Sequence, residues 1–203
     1  MGRLEQRSPG NNRMKYKIVI ADDEPITRLN MYEILVGAGY EVVGEAGDGF
    51  DALDLCREHH PDLALLDIKM PLIDGLKVAQ LIKEEHLAGS VLLLTAYSGK
   101  EFVDQAKEIS VEGYLVKPIS EDSLLPMVEV SIAKGREMDQ MRADISRAKD
   151  ELEGRKLIER AKGILMAQEK LSEDAAYKKI RKISMDKGRP MKDIARALLL
   201  NSD

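Results

Sequence analysis

Lys17 to Glu24 reads KIVIADDE, a run of four apolar residues that stops abruptly at three carboxylates. An apolar run this short, rich in β-branched residues and closed by polar ones, suits a strand buried on both faces. The pattern recurs at EVVGEA (Glu41 to Ala46), DLALL (Asp62 to Leu66), VLLLT (Val91 to Thr95) and GYLV (Gly113 to Val116). Between these runs lie amphipathic stretches that predict helices near Ile26 to Gly37, Phe50 to His59, Leu76 to Glu85 and Lys100 to Ile109. Gly37, Gly39, Pro61 and Gly89 mark their ends. Strict strand–helix alternation with continuous apolar strands predicts an α/β fold, a doubly wound five-stranded parallel sheet covered on both faces.

The chain has 203 residues, room for one full domain and a smaller second one. With 44% hydrophobic and 33% charged residues it can build a core. A single cysteine, Cys56, excludes an internal disulfide and a thiolate metal cluster, and three histidines leave little for a zinc site. No apolar stretch approaches the ~18 residues of a membrane span, and Met1 to Arg13 is polar and aperiodic. That segment reads as a disordered leader, and the protein as cytoplasmic with no membrane contact. The net charge of −5 hides a division. From Arg155 to Asp203 there are 13 basic and 7 acidic residues, leaving 18 and 29 in the remainder, so a basic tail of +6 follows a body of −11. Such asymmetry suits a polyanion partner for the tail, or a solvated helical surface.

After Pro118 the period changes. Ser120 suits a helix N-cap with Asp122 in the first turn, and no proline occurs between Met127 and Arg189. One long helix is predicted from about Met127 to Gln168, although Gly135 and Gly154 each cost about 1 kcal/mol in a helix interior. Met138, Met141, Ile145, Ala148 and Leu152 fall at alternating spacings of 3 and 4, the seam of a coiled coil. A connector helix packed on its own domain is the alternative. Ser172 then caps a helix from Glu173 to Lys187 that Gly188 ends, and Pro190 opens another through Leu200. With Leu157, Ala161, Ile164 and Leu165 these two helices form a three-helix cluster.

Asp22, Asp23, Asp67, Thr95 and Lys117 all fall at carboxyl ends of the predicted strands, the edge where open parallel sheets bind ligands. Carboxylates gathered there repel one another unless a cation joins them, and a hard divalent ion such as magnesium takes oxygen ligands. A lysine and a hydroxyl beside them can hold phosphoryl oxygens, which points to phosphoryl transfer onto an aspartate. The segments IVIADDE, DIKMPLIDG, LLTAYS and GYLVKP, in that order, resemble the receiver domain of two-component response regulators from Lys17 to about Ala133. The resemblance implies that Asp67 accepts the phosphoryl group. It also implies that Asp23, Asp67 and the backbone carbonyl of Lys69 hold magnesium, with Asp22 acting through water. Thr95 and Lys117 would bind phosphoryl oxygens, Tyr114 would be the rotating aromatic switch, Lys117-Pro118 a cis peptide, and Lys69 and Tyr97 would tune phosphoryl lifetime. His59-His60, at a helix end, and Cys56, in an apolar row, read as structural.

The basic segment Arg155 to Leu199 resembles the ANTAR domain of antitermination regulators. The likeness rests on Ala161-Lys162-Gly163 with Met166, on Ala175, Tyr177 and Arg181, on Ser184-Met185 and on Ile194-Ala195. It implies binding of two stem-loops in a nascent leader RNA so that a terminator cannot form. The layout of receiver, coiled coil and ANTAR is most similar to that of the ethanolamine-utilisation antitermination regulators. Lys178, Arg181 and Lys182 share a helical face with Tyr177 beside them, the mixture by which RNA loops are held, and Lys162 and Gly163 join the candidate RNA set. Tyr177 equally suits packing between helices. A DNA-binding helix-turn-helix around Lys187-Gly188-Arg189-Pro190 is the competing class, but the following helix offers only Lys192 and Arg196 as strong base readers. A tail that docks on protein is the third.

The domains read as a leader at 1–13, a receiver at 14–133, a linker helix at 134–154 and an ANTAR domain at 155–203. The expected partners are a sensor histidine kinase, a two-loop leader RNA and, on phosphorylation, a second copy of the chain. The protein reads as a regulator, an autophosphatase at most and not a metabolic enzyme.

Overall fold

The computed structural model describes residues 16–96, 111 and 113–200. Five strands, β1 (Lys17–Ala21), β2 (Glu41–Ala46), β3 (Leu63–Asp67), β4 (Val91–Thr95) and β5 (Gly113–Val116), form one parallel sheet in the order β2-β1-β3-β4-β5. Among the described residues six helices follow in chain order: α1 (Pro25–Gly37), α2 (Gly49–His59), α3 (Gly75–Glu85), α4 (Glu121–Glu169), α5 (Glu173–Lys187) and α6 (Met191–Leu200). The predicted helix at Lys100 to Ile109 and the leader at Met1 to Arg13 lie outside the described residues.

Period-two alternation sends successive residues of each strand to opposite faces. Val19, Ala21, Ala64, Leu66 and Leu93 meet Ala52, Leu53 and Cys56 of α2 and Val78, Ala79 and Ile82 of α3. Ile18, Ile20, Leu63, Leu65, Leu92 and Leu94 meet Met31 and Leu35 of α1 and Leu124, Val128 and Ile132 of α4. Every residue of β3 and β4 is buried, which is why both read as unbroken apolar runs. Each fully buried Leu, Ile or Met contributes about 1.5–3 kcal/mol.

Local chemistry sets the helix starts. Asp48 caps α2, accepting from the backbone N–H of Phe50 at 2.9 Å and Asp51 at 3.0 Å, and Asp74 caps α3 through Lys77 N at 2.8 Å. The long helix begins six residues before the predicted Met127 and carries Pro126 inside it. Ser120 opens it: its carbonyl accepts from Leu124 N at 2.9 Å and its N–H donates to Ser123 Oγ at 3.1 Å. Pro126 lies near that end, so it removes one helical hydrogen bond without stopping the helix.

Two compact units divide the chain, one up to Asp139 and the other from Gln140. In the first, Gly135 of α4 is buried where a Cβ would stand 2.6 Å from the carbonyl oxygen of Gly89, so only glycine lets the helix lie this close to the loop before β4. Arg136 follows it and donates to the Tyr16 hydroxyl at 2.7 Å. In the second unit, Ala161, Leu165, Ala176, Ile180 and Ala195 are buried together, the three-helix cluster expected from the sequence. Ser172 caps α5 through Ala175 N, and Gly188, left-handed at φ 60°, ends it. The seam residues Met138, Met141, Ile145 and Leu152 are about half exposed.

Candidate functional site

Backbone bonds running past the strand ends fix the expected cluster in place. Asp22 N donates to Ala46 O at 3.1 Å, Ile68 N to Leu94 O at 2.9 Å, and Lys117 N to Thr95 O at 2.8 Å. Gly75 at the start of α3 lies so near β3 that a Cβ there would stand 2.0 Å from the Asp67 carbonyl oxygen. A larger residue would push that helix off the strand end. The peptide Lys117-Pro118 is cis, as the receiver-domain resemblance implied.

Four of the five side chains are almost shut off from solvent. Asp22 and Thr95 are buried, Asp67 is 5% exposed, and the Lys117 side chain is 17% exposed. Lys117 Nζ lies 2.7 Å from Asp22 Oδ2 and 3.2 Å from Asp67 Oδ2, bridging two strand ends with one charge. The other Asp22 oxygen, Oδ1, accepts from Glu24 N at 3.0 Å, and the Asp22 carbonyl accepts from Arg28 Nη1 at 2.6 Å. A cleft of about 260 Å³ opens over the group, and Asp23, Asp67, Thr95 and Lys117 line it together with Glu24 and Lys69. Glu24 and Arg28 escaped the sequence reading; the carboxylate run at Asp22 to Glu24 was the available signal for the first, and nothing local marks the second.

Burial pushes the Asp67 carboxyl above the usual carboxylate range; Lys117 pulls it back, while the charges of Asp22 and Asp23 add to the rise. Burial alone would weaken the Lys117 ammonium, but the Asp22 and Asp67 carboxylates outweigh it and hold its pKa above the ordinary lysine value. One lysine therefore faces three carboxylates. Oxygens of Asp22, Asp23 and Asp67 lie within 4.8 Å of one another, and among the described residues buried Asp22 Oδ2 has only the Lys117 ammonium for a partner. An all-oxygen, net-negative set of this kind fits a hard divalent cation.

Tyr114 stands on β5 with 42% of its surface exposed. Tyr97 lies outside the described residues.

In the second unit the expected nucleic-acid residues do not form one face. Lys162 is 7% exposed, its Nζ bound by Glu159 Oε1 at 2.8 Å and Glu173 Oε1 at 2.7 Å, so it ties α4 to the start of α5. Gly163 is exposed, with no atom within 4 Å of where a Cβ would stand. On α5, Lys178 pairs with Asp174 at 2.5 Å, whereas Arg181 and Lys182 are exposed and have no ion pair among the described residues. Tyr177 is 42% exposed, at the edge of that face. A depression of about 410 Å³ between α4 and α6 is lined by Arg147 and Lys192, whose charges are already taken by Asp144 and Asp150.

Comparison with known proteins agrees with both units. Residues 18–129 match the response regulator receiver domain and residues 146–199 the ANTAR domain. The transcriptional regulatory protein PdtaR of Mycobacterium tuberculosis is 38% identical over 183 residues, 90% of this chain and 89% of PdtaR. Among solved structures, the receiver domain of the response regulator NarL from Mycobacterium tuberculosis is similar at 32% identity and TM-score 0.53, over 60% of this chain and 97% of that one. The receiver domain of AraT, a response regulator from Geobacillus stearothermophilus, is 32% identical with TM-score 0.53, over 64% of this chain and 99% of its own.

Proposed function

The chain belongs to the response regulators that carry a receiver domain followed by an ANTAR domain, and from that premise we propose that it is a phosphorylation-controlled RNA-binding antiterminator. The observation that carries the proposal is the convergence of Asp23, Asp67, Thr95 and Lys117 in one cleft, with Asp22 buried beside them, on the same chain as the ANTAR domain.

Asp67 is the phosphoacceptor. One of its carboxylate oxygens forms a bond to phosphorus as the phosphoryl group leaves the donor histidine of a sensor kinase, giving an acyl phosphate. The incoming phosphoryl group brings close to two negative charges. Lys117 Nζ, already 3.2 Å from Asp67, and the Thr95 hydroxyl donate to its oxygens. Asp23, Asp67 and the Lys69 carbonyl, with Asp22 through water, would hold magnesium, which when bound offsets the charge gathered there. Moving Lys117 and Thr95 toward the phosphoryl group favours a second arrangement of their strand ends, in which Tyr114 turns inward as the switch.

The readout is dimerisation through the seam of Met138, Met141, Ile145, Ala148 and Leu152, four of which expose about half of their large apolar surface. A dimer presents two ANTAR heads to two stem-loops of a nascent leader RNA in the cytoplasm, and their binding keeps a terminator from forming. The RNA face comprises Tyr177, Lys178, Arg181 and Lys182, with exposed Gly163 on α4. Lys162, paired with Glu159 and Glu173, ties the module together and can join the RNA set only by giving up those partners. Likeness in layout to the ethanolamine-utilisation antitermination regulators, and the relation to PdtaR, support this reading.

The test uses full-length protein treated with acetyl phosphate and magnesium. Mass spectrometry is expected to find a phosphoryl adduct that Asp67→Asn abolishes. The phosphorylated protein is expected to bind an RNA with two stem-loops about 10²-fold more tightly than an RNA with one, through effective concentration. Equal affinity for the two RNAs removes the bivalent mechanism, and tighter binding to duplex DNA removes the RNA reading.

A further inference from the structure

Helix α5 turns Ala176 and Ile180 into the core of its unit and turns the opposite face to solvent. Along that outer face Tyr177, Arg181 and Met185 are spaced at i, i+4 and i+8 and so form one row. Lys182 stands one turn from Met185 beside the row, and Lys178 a turn farther back. Met185 is 72% exposed, more than any other large apolar residue of the second unit except Leu200 near the chain end. Its backbone is nevertheless pinned, because Gly188 N donates to its carbonyl at 3.2 Å. The next turn is closed by Arg189 N on Ser184 O at 3.1 Å and Ser184 Oγ on Arg189 O.

The composition of the row selects its occupant. A partner helix calls for an apolar stripe at spacings of 3 and 4, which this chain places elsewhere, from Met138 to Leu152. A phenol, a guanidinium and a thioether in line each offer a flat or polarisable surface to an aromatic face, and the cations beside them suit phosphates. Unpaired bases of an RNA loop present both features at once. We infer that Met185 is a base-contacting residue: with Tyr177 and Arg181 it forms a platform for unstacked nucleobases of an RNA loop, and Arg181 and Lys182 hold the adjoining phosphates. This inference rests on the RNA-binding reading above and extends it to a residue and to the part of the RNA that residue touches.

The experiment starts from a pool of hairpin RNAs with a common stem and a randomised loop, selected on full-length protein. The winning hairpin is then titrated against wild type, Met185→Ala, Met185→Leu, Arg181→Ala and Lys182→Ala over a range of salt, and against versions made abasic at each loop position in turn. Met185→Ala is expected to weaken binding about three- to tenfold, the size of a sulfur–aromatic contact. It should leave the slope of log affinity against log salt unchanged, because no phosphate contact is lost. Met185→Leu should recover part of the loss. Arg181→Ala and Lys182→Ala should each weaken binding and flatten the slope. The Met185→Ala penalty should vanish on the hairpin abasic at one particular loop position and persist on the others.

Wild-type affinity in Met185→Ala, or a penalty the same on every abasic hairpin, overturns the inference while the RNA-binding reading stands. A change in sedimentation of Met185→Ala with RNA affinity intact assigns the row to a protein partner and overturns it as well. Failure of wild type to select any hairpin overturns the RNA-binding reading and this inference together.

Discussion

Replacing Asp67 by Asn should do two things that pull in opposite directions, abolishing phosphorylation and making the protein more stable. The magnitude comes from the carboxylate cluster. At an effective dielectric near 20, two like charges within 4.8 Å of one another repel by about 3.5 kcal/mol or more, so Asp22 and Asp23 together oppose the Asp67 charge by about 7 kcal/mol. Lys117 at 3.2 Å returns about 5 kcal/mol. Asp23 is exposed, so solvent trims its share, while burial of the Asp67 charge adds a cost of its own. The carboxylate is thus held against a net penalty, in the same sense as its raised pKa. Asp67→Asn removes the charge while keeping the shape, and should stabilise the full-length protein by about 1–2 kcal/mol in EDTA. That appears as a rise in melting temperature of about 2–4 °C per kcal/mol for a chain of this size. Magnesium should reverse the order, stabilising wild type in proportion to its occupancy and Asp67→Asn far less. Thermal unfolding of both proteins, in EDTA and across a magnesium titration, measures all four quantities. Loss of stability on Asp67→Asn in EDTA, or equal stabilisation of both proteins by magnesium, would refute the charge arithmetic and the metal assignment respectively.

Lys117→Met strands the buried Asp22 carboxylate and should cost about 3–5 kcal/mol in EDTA, part of which magnesium restores; denaturant unfolding measures both. Two glycines of α4 should respond with opposite signs. Gly135→Ala gains about 1 kcal/mol of helix propensity but drives a Cβ to 2.6 Å from the Gly89 carbonyl oxygen, and overpacking of about 1–3 kcal/mol leaves a net loss. Gly163→Ala meets nothing and should stabilise by about 1 kcal/mol, read in the same unfolding series. Burial pushes the Cys56 thiol up to about 12. The thiol should therefore resist alkylation in the native protein. Its raised pKa contributes stability that is complete below the unfolded value of about 8.5 and is lost as pH rises toward the folded one. Wild type should accordingly lose stability more steeply than Cys56→Ala above about pH 8.5, and parallel declines would contradict the burial argument.

The sheet was legible because four of its strands are uninterrupted apolar runs, a pattern that needs no knowledge of partners. Strand β3 shifted by one residue, from the predicted Asp62 start to Leu63–Asp67, for a reason visible only in three dimensions. Asp62 spends its carboxylate on Lys17 N at 2.8 Å, whereas Asp67 keeps its backbone in the ladder opposite Leu94. The carboxylates, Thr95 and Lys117 could be placed from the sequence because each sits at a strand end, and strand ends were what the apolar runs defined. The pairing of Lys162 was only half legible by the same local logic. Glu159 at i−3 could be seen, but Glu173, eleven residues on and across a turn, also binds the ammonium. Gly135 looked like a weakness in a long helix until its neighbour proved to be a loop 46 residues away.

The strands that carry the cleft are not equally secure. Asp22, Asp67 and Thr95 hang from β1, β3 and β4, whose residues are almost wholly buried, whereas Lys117 follows β5, the last strand in the sheet order, where no residue is fully covered. Local opening is easiest where buried apolar contacts are fewest. Amide hydrogens of β3 should therefore exchange only with global unfolding, and those of β5 much sooner. The carboxylates are then a fixed anvil and the lysine a movable jaw: if Asp67 is phosphorylated as proposed, the added charge should displace first the strand that costs least to move.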